Sequence, residues 1–411
     1  MSGPLDGVKV IELAGEKGHY CGRLLADMGA DVIKVEPPGG DPARQIGPFV
    51  DDKPGPDRSL FFWHYNANKR GVTLDVAANP DLLQRLAANA DILLETYPPG
   101  TIDHEELRRQ NPALIYASLT PFGQTGPYRD FLTSDLVSLA LGGPMASCGY
   151  DDLPGAPPIR GEYHQAYHIG SHYAFVGILV ALFSRDLTGR GQYIDVSIHE
   201  ACSCTTEGAF PAWVYHQKIV KRQTARHATI RPTLPFHYMC ADGKYLHVVG
   251  GVPRDAKSWR FLVDWMAGTG MAEDLAGDQY AEFRGLRNLE ASDPISIHIH
   301  DVIGRFFATL PSDEAYHGCQ KRGIAAGVIR SPEENLLDPH FRDDREFFVE
   351  MPGTGLDKPA ICPGPPYMFE KTPWSLHRPA PKLGEHNIEV YCGELGLSKE
   401  ELIHLNKAGV I

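Results

Sequence analysis

Residues 8–36 read VKVIELAGEKGHYCGRLLADMGADVIKVE. Two apolar runs of strand length, 8–13 and 31–36, flank a stretch, 20–28, whose apolar residues recur at helical spacing. A strand, a glycine-bearing turn, a helix and a second strand form the repeating unit of a parallel sheet with helices on its faces. The pattern continues outward. Residues 72–75, 92–95 and 114–119 are further strands, 80–90 is a helix between two of them, and 193–197 is a strand fed by the turn TGRGQ at 188–192. Residues 161–185 read as one long helix or two abutting ones, with the run 174–183 (AFVGILVALF) suited to a buried helix. No apolar run reaches the length of a membrane span.

Near residue 220 the character changes. The basic, polar stretch 218–231 reads as a linker or loop. An α+β pattern follows, with strands at 236–239 and 245–249 around the turn ADGK and helices to about 322. Residues 323–369 are rich in Pro and Gly, and 399–406 form a closing helix. The 411 residues suffice for two or three domains and a large core. With 39 Lys+Arg against 52 Asp+Glu, the net charge of −13 disfavours nucleic acid as a partner. Eight scattered cysteines form no CxxC pair, and the N-terminus lacks a basic stretch followed by an apolar one, so the expectation is a reduced, cytoplasmic protein off the membrane.

The first turn, AGEKGHYCG, is not GxGxxG, so a dinucleotide site is not specified, although Glu36 ends the second strand where a ribose-binding acid would sit. His164, His168 and His172 lie at i, i+4, i+8 on one helix face. Without HExxH or an acidic ligand at suitable spacing, they read as a polar face or subunit contact rather than a metal site. HIHD at 298–301 reads as a local hydrogen-bonding segment. GxSxG, the nucleophile elbow of serine hydrolases, is absent.

Taken in order, longer stretches resemble the family III CoA-transferases of the formyl-CoA and carnitine type. They are PLDGVKVIEL (4–13), LLADMGADVIKVEPPGGDPAR (24–44), NANKRGVTLDV (66–76) and ADILLETYPPG (90–100). They continue with NPALIYASLTPFGQTGPY (111–128), GILVALFSRDLTGRGQYIDVSIHEA (177–201), RGIAAGVIRSPEENLLDPHF (322–341), APKLGEHNIEV (380–390) and the terminal GVI. The resemblance implies an α/β protein with a Rossmann-like large domain from both chain ends, 1–220 and 325–411, and a smaller α+β domain at 225–322. It implies two subunits threaded as interlocked rings, and CoA thioesters as substrates without a metal. Carried over by position, the CoA contacts fall on Glu16, Lys17, Leu74, Asp75, Thr96, Tyr97, His104, Asp135 and Leu136. Lys17 and His104 would face phosphates and Tyr97 the adenine. Gly250 and Gly251 are what remains of the family's glycine-rich substrate loop, within VVGGVPRD at 248–255. Two local departures stand out: ETY at 95–97 replaces the family's ENF, and KGH at 17–19 replaces AGP.

The family's nucleophile is an Asp whose carboxylate attacks the thioester and carries the acyl group as an anhydride. It lies nine residues after the Pro of PxR and ten before the Gly of GILxAL. Counted from Pro158 and from Gly177, both flanks lead to position 167, which is Tyr167. A phenol with a pKa near 10 is neutral and poorly nucleophilic at neutral pH. The His-Asp pair of the racemase branch reads Ser134-Asp135, which argues against a racemase. The resemblance therefore points to the Asp-lacking subunit of a heteromeric CoA-transferase of the succinyl-CoA:benzylsuccinate type, from aromatic degradation. Its partner would be a homologous subunit that carries the Asp. Other readings are an active homodimer with a relocated carboxylate such as Glu162, a CoA-ester lyase or isomerase using Tyr167 or a His, and a CoA-binding protein without catalysis.

Overall fold

The structure is a computed structural model and describes residues 3–411 except 254, 282, 284 and 286–289. Contacts divide the chain into two compact units: Met1–Gly142, Gly161–Thr205 and Pro339–Ile411 form the first, and Gly143–Arg160 with Thr206–Asp338 the second. The 225–322 segment lies within the second unit, which also takes in 143–160 and the flanks 206–224 and 323–338.

The first unit is built on six parallel strands: β1 Lys9–Leu13, β2 Asp31–Glu36, β3 Arg70–Thr73, β4 Ile92–Glu95, β5 Ile115–Thr120 and β6 Tyr193–Ser197, in the order β3-β2-β1-β4-β5-β6. This is the doubly wound order, whose topological switch point lies between β1 and β4 at the strands' carboxyl ends. The central strands are buried on both faces, so they appear in sequence as continuous apolar runs rather than alternating ones. β3 begins two residues before the expected strand at 72–75. Arg70 is buried there by ion pairs to Asp31, Glu389 and Glu394, which lets a charged residue occupy a strand end.

Helices α1 His19–Asp27, α2 Leu60–Asn66, α3 Pro80–Ala88, α4 His104–Gln110, α5 Asp135–Gly142, α6 Gln165–Thr188 and α7 Ile198–Cys204 complete this part. Ser59, Asn79, Asp103 and Ser197 cap α2, α3, α4 and α7 by accepting from backbone N–H groups in the first turn. α6 is a single helix ended by Gly189 in the left-handed conformation. By length and composition alone it could cross a membrane. The expectation that 174–183 is simply buried needs correction. One face of α6, with Gly170, Ala174, Ile178 and Ala181, packs on β5, β6 and α7, whereas Tyr173, Val176, Val180, Phe183 and Leu187 form an exposed apolar stripe.

The chain's end returns to the sheet edge at β3. Asn387 accepts from Thr73 N–H through Oδ1 at 2.9 Å, and the Tyr391 hydroxyl donates to Thr73 O at 2.8 Å.

In the second unit, taken by itself, helix α8 Ala209–His216 is followed by a hairpin, β7 Lys221–Gln223 and β8 Arg226–Thr229. The hairpin corrects the reading of 218–231 as a loop. Its strands carry no apolar alternation; the buried Gln223 amide holds it by bonding His227 O, Thr229 Oγ1 and Thr233 N–H. Strands β9 His237–Met239, β10 Tyr245–Val248 and β11 Ala326–Val328 form an antiparallel sheet packed on helices α9 Ala256–Gly268, α10 Pro294–Phe307 and α11 Ser312–Lys321. Their shared core includes Trp259, Met266, Ile303 and Phe306.

Candidate active site

The switch point is organised by buried charge. Lys34, fully buried on β2, donates from Nζ to Ala14 O at 2.9 Å and to Asp41 Oδ2 at 3.0 Å. Lys69 donates to Glu12, to His19 O and to Asn66 Oδ1 at 2.9–3.0 Å. His19, pushed down mainly by burial, lies 3.0 Å from Asp41, itself held far below the usual carboxylate range by Lys34 and His19. Such charges are tolerated inside a protein only when paired. Here they fix the backbone of residues 14–19, the loop between β1 and α1. Two glycines make the fit possible. A Cβ on Gly22 would stand 1.8 Å from Glu12 Oε2, and one on Gly18 2.7 Å from Thr96 Cγ2. Sequence reasoning singled out none of Glu12, Lys34, Asp41 and Lys69, since charged residues in apolar strands show no chemistry until their partners are known.

The loop presents Glu16 and Lys17 to the start of α6. Glu16 Oε1 lies 3.1 Å from His164 Nδ1, and this contact holds Glu16 below its ordinary pKa. The His164 ring stacks on Tyr167, with centroids 5.4 Å apart and planes 19° from parallel. Lys17 Nζ stands 6.0 Å from the Tyr167 ring centroid. Tyr167 is 5% exposed. Burial, then the negative fields of Glu16 and Asp135, push its phenol far above the ordinary value. At neutral pH it is therefore a neutral, buried ring.

Asp135 begins α5 and accepts from Ala166 N–H at 2.7 Å and Tyr167 N–H at 3.4 Å. It supplies the cap that α6 lacks locally, since the His164 side chain makes no capping bond. The carboxylate assigned by resemblance to CoA is thus engaged with the helix that carries position 167. Glu162 is exposed and precedes the first helical residue, Gln165. The carboxylates whose fields act on Tyr167 are those of Glu16 and Asp135.

The histidine stripe divides among different partners. His164 meets Glu16; His168 Nε2 is hydrogen-bonded to the Tyr65 hydroxyl at 2.7 Å and stacks on Tyr20 at 4.2 Å; His172 Nδ1 donates to His168 O at 2.8 Å. Burial lowers the His168 pKa to about 4, leaving it neutral. Among the described residues no group of three His, Cys, Asp or Glu is disposed to hold a metal. HIHD contributes a hydrogen bond between His298 Nε2 and Asp274 Oδ1 at 2.6 Å.

The remaining positions matched to CoA contacts are dispersed over the first unit. Thr96 Oγ1 accepts from Gly15 N–H at 2.8 Å, tying the end of β4 to the β1–α1 loop across the switch point. Tyr97 packs half-buried on the core. The Leu74 side chain belongs to that core, so it presents no side chain to a ligand. Asp75 closes a local turn by accepting from Ala77 and Ala78 N–H. Leu136 is exposed, and His104 stacks on Tyr193 at 4.3 Å. Gly250 and Gly251, in the second unit, both adopt positive φ (79° and 77°) in a turn after β10, closed by Gly251 N–H to Val248 O at 2.9 Å. Arg254, in the same stretch, lies outside the described residues.

Comparison with known proteins agrees with this architecture. The profile of CoA-transferase family III matches residues 5–387. The chain is 34% identical over 414 aligned positions to the succinyl-CoA:(R)-benzylsuccinate CoA-transferase subunit BbsE of Thauera aromatica, covering 98% of this chain and 97% of that one. It is 31% identical over 419 positions to the succinyl-CoA–D-citramalate CoA-transferase of Chloroflexus aurantiacus, covering 99% and 98%. Among solved structures, a CAIB/BAIF family protein from Brucella suis superposes with a TM-score of 0.79 at 27% identity, covering 96% of this chain and all of that one.

Proposed function

The chain belongs to CoA-transferase family III, and on that premise we propose that it is the catalytically silent subunit of a hetero-oligomeric enzyme that moves CoA between carboxylic acids. The observation that carries this reading is the state of position 167. An attacking group there must be ionised and must reach a thioester carbon. The Tyr167 phenol is neutral, buried and stacked on His164. An aryl ester formed on it would also be a different intermediate from the anhydride that lets a carboxylate pass the acyl group on.

In the proposed complex the Asp-bearing homologous subunit performs the covalent steps. Its carboxylate attacks the acyl-CoA, releasing CoA thiolate and forming the anhydride. The thiolate attacks the enzyme carbonyl and frees the first acid, and the second acid then takes CoA by the reverse sequence. This chain contributes its scaffold. Two of its surfaces support association with a homologous subunit, threaded or otherwise. The α6 stripe from Tyr173 to Leu187 is apolar and open, and α8, with Phe210, Trp213 and Tyr215, has no buried residue. A benzylsuccinate-type reaction and a cytoplasmic location belong to the same proposal. The first is supported by the relative from Thauera aromatica, the second by eight cysteines without a disulfide.

The test is direct. The pure chain, given succinyl-CoA and an acceptor acid, should exchange no CoA. Co-purified with a homologous subunit bearing Asp at the matching position, it should form an active complex whose rate Tyr167→Phe leaves within about twofold. CoA exchange by the pure chain would overturn the reading. One observation favours the relocated-carboxylate alternative, namely that Glu16 is held ionised beside Tyr167. Borohydride reduction of an acyl-CoA-treated sample, mapped by mass spectrometry, separates the two. A modified Glu16 would replace the silent-subunit reading.

A further inference from the structure

The pair formed by Glu16 and His164 has no part in the proposed transfer reaction. Glu16 stands in the β1–α1 loop, and His164 immediately precedes α6. Glu16 Oε1 lies 3.1 Å from His164 Nδ1, and the two side chains keep 36% and 17% of their surface exposed. A carboxylate–histidine pair open to solvent contributes little stability, because water screens the charges and two side chains must be ordered. The hydrogen bond to His164 holds the Glu16 carboxyl below its ordinary range; burial opposes this, and the charges of Lys17 and His19 assist it. Glu16 is therefore a carboxylate at neutral pH, set against an imidazole at a place that water can reach.

The imidazole is also held by its aromatic neighbours. It stacks on Tyr167 with centroids 5.4 Å apart and planes 19° from parallel. Phe61 of α2, 7% exposed, meets it at 5.1 Å and 57°, and the Tyr163 ring lies at 6.1 Å. A ring fixed in its plane and engaged at Nδ1 presents Nε2 at its opposite edge. A carboxylate at Nδ1 selects the tautomer protonated there, which leaves the Nε2 lone pair to accept a proton, and it stabilises the imidazolium that results. Lys17 Nζ, 6.0 Å from the Tyr167 ring centroid, adds a positive charge for an oxyanion developing nearby. A carboxylate, an imidazole oriented by it and a cation make an acid–base arrangement rather than a nucleophile.

We propose that this chain hydrolyses acyl-CoA thioesters, with His164 as the general base for a water and Glu16 as the positioning residue that orients it. The reaction rests on the family III reading, in which a thioester reaches position 167, and is distinct from exchange of CoA between acids. His164 Nε2 takes a proton from water as the water oxygen attacks the thioester carbon. The tetrahedral intermediate collapses, the C–S bond breaks, and the imidazolium returns the proton to the departing sulfur. The balance is acyl-CoA and water to carboxylic acid and CoA, without a covalent enzyme intermediate and without an acceptor acid. Tyr167 then has a positive role: where an Asp would attack the thioester, its neutral ring supports the base that activates water.

The test is to give the full chain succinyl-CoA and no acceptor acid, in water labelled with oxygen-18. It is run on the pure chain and on its complex with a homologous subunit whose nucleophilic Asp is changed to Asn. Free CoA thiol should be released, and the succinate of a single turnover should carry the label while Glu16, read by peptide mass spectrometry, carries none. His164→Ala should lower kcat by about a hundredfold or more, and added imidazole should restore part of the loss, which it would not do for a merely structural residue. Glu16→Gln should lower kcat about tenfold and leave KM unchanged. Urea unfolding and CoA binding of both variants confirm that a lost rate reports the base and not the fold. No thiol release in either preparation, indifference to His164→Ala, a loss that imidazole does not restore, or label in Glu16 would each overturn the proposal. CoA exchange by the pure chain when an acceptor acid is added would overturn the silent-subunit reading alone, since hydrolysis is read without the acceptor.

Discussion

Tyr167 sits among two carboxylates, a histidine and a lysine, so reversing the substitution is not a simple restoration. An aspartate at 167 would share its surroundings with Glu16 and Asp135, the same groups whose fields already oppose ionisation of the phenol. Its folded-state pKa would lie above the unfolded value near 4. The resulting cost is absent below that value and is complete above the raised folded pKa, at about 1.4 kcal/mol for every tenfold gain in proton affinity on folding. Tyr167→Asp should therefore lose more stability at pH 8 than at pH 4.5 in urea unfolding, with a difference of about 1 to 3 kcal/mol. An equal loss at both pH values would mean that Glu16 and Asp135 do not act on that position. The odd residue at 167 was legible from flanking motifs. Its neighbours were not, because Glu16, Asp135 and His164 meet only after three separate segments fold onto the switch point.

At the scale of the element, α1 and α9 show how context sets the value of a glycine. Gly22 in α1 faces the buried Glu12–Lys69 pair, where an added methyl has no room and displaces a charge. Gly22→Ala should cost about 3 kcal/mol or prevent folding, by overpacking and by disturbing a buried ion pair. Gly268, the last residue of α9, has open space around it and an ordinary helical backbone. Gly268→Ala should stabilise by about 0.5 kcal/mol through the helix propensity of alanine. Chemical denaturation of the two variants side by side checks the contrast. The elements themselves were readable where apolar runs or helical spacing mark them, as in β2, β4 and β6, whose limits match the expected ones. The β7–β8 hairpin was not, since a side-chain amide rather than an apolar face holds it.

For the whole molecule, association is decided by what the chain leaves uncovered. The stripe Tyr173, Val176, Val180, Phe183 and Leu187 repeats at three and four residues along one side of α6, the spacing of a helix face that seeks a partner. In the proposed assembly, Phe183→Glu, an exposed site whose change leaves the buried face intact, should shift the protein to monomer in size-exclusion chromatography with light scattering, without lowering its helix content. An unchanged oligomer would remove α6 from the interface. The sequence by itself determined the class of fold and the family, because continuous apolar runs and glycine-bearing turns are local consequences of a two-sided parallel sheet and the longer stretches carry the family's motifs in order. It also determined that a tyrosine stands where the family has its nucleophile. Only the tertiary structure decided that this tyrosine is buried, stacked and surrounded by carboxylates, and that Lys34 and Lys69 pair inside the core. Burial, ion pairing and stacking join residues distant in the chain, and their energies depend on distance and dielectric surroundings that no local pattern encodes.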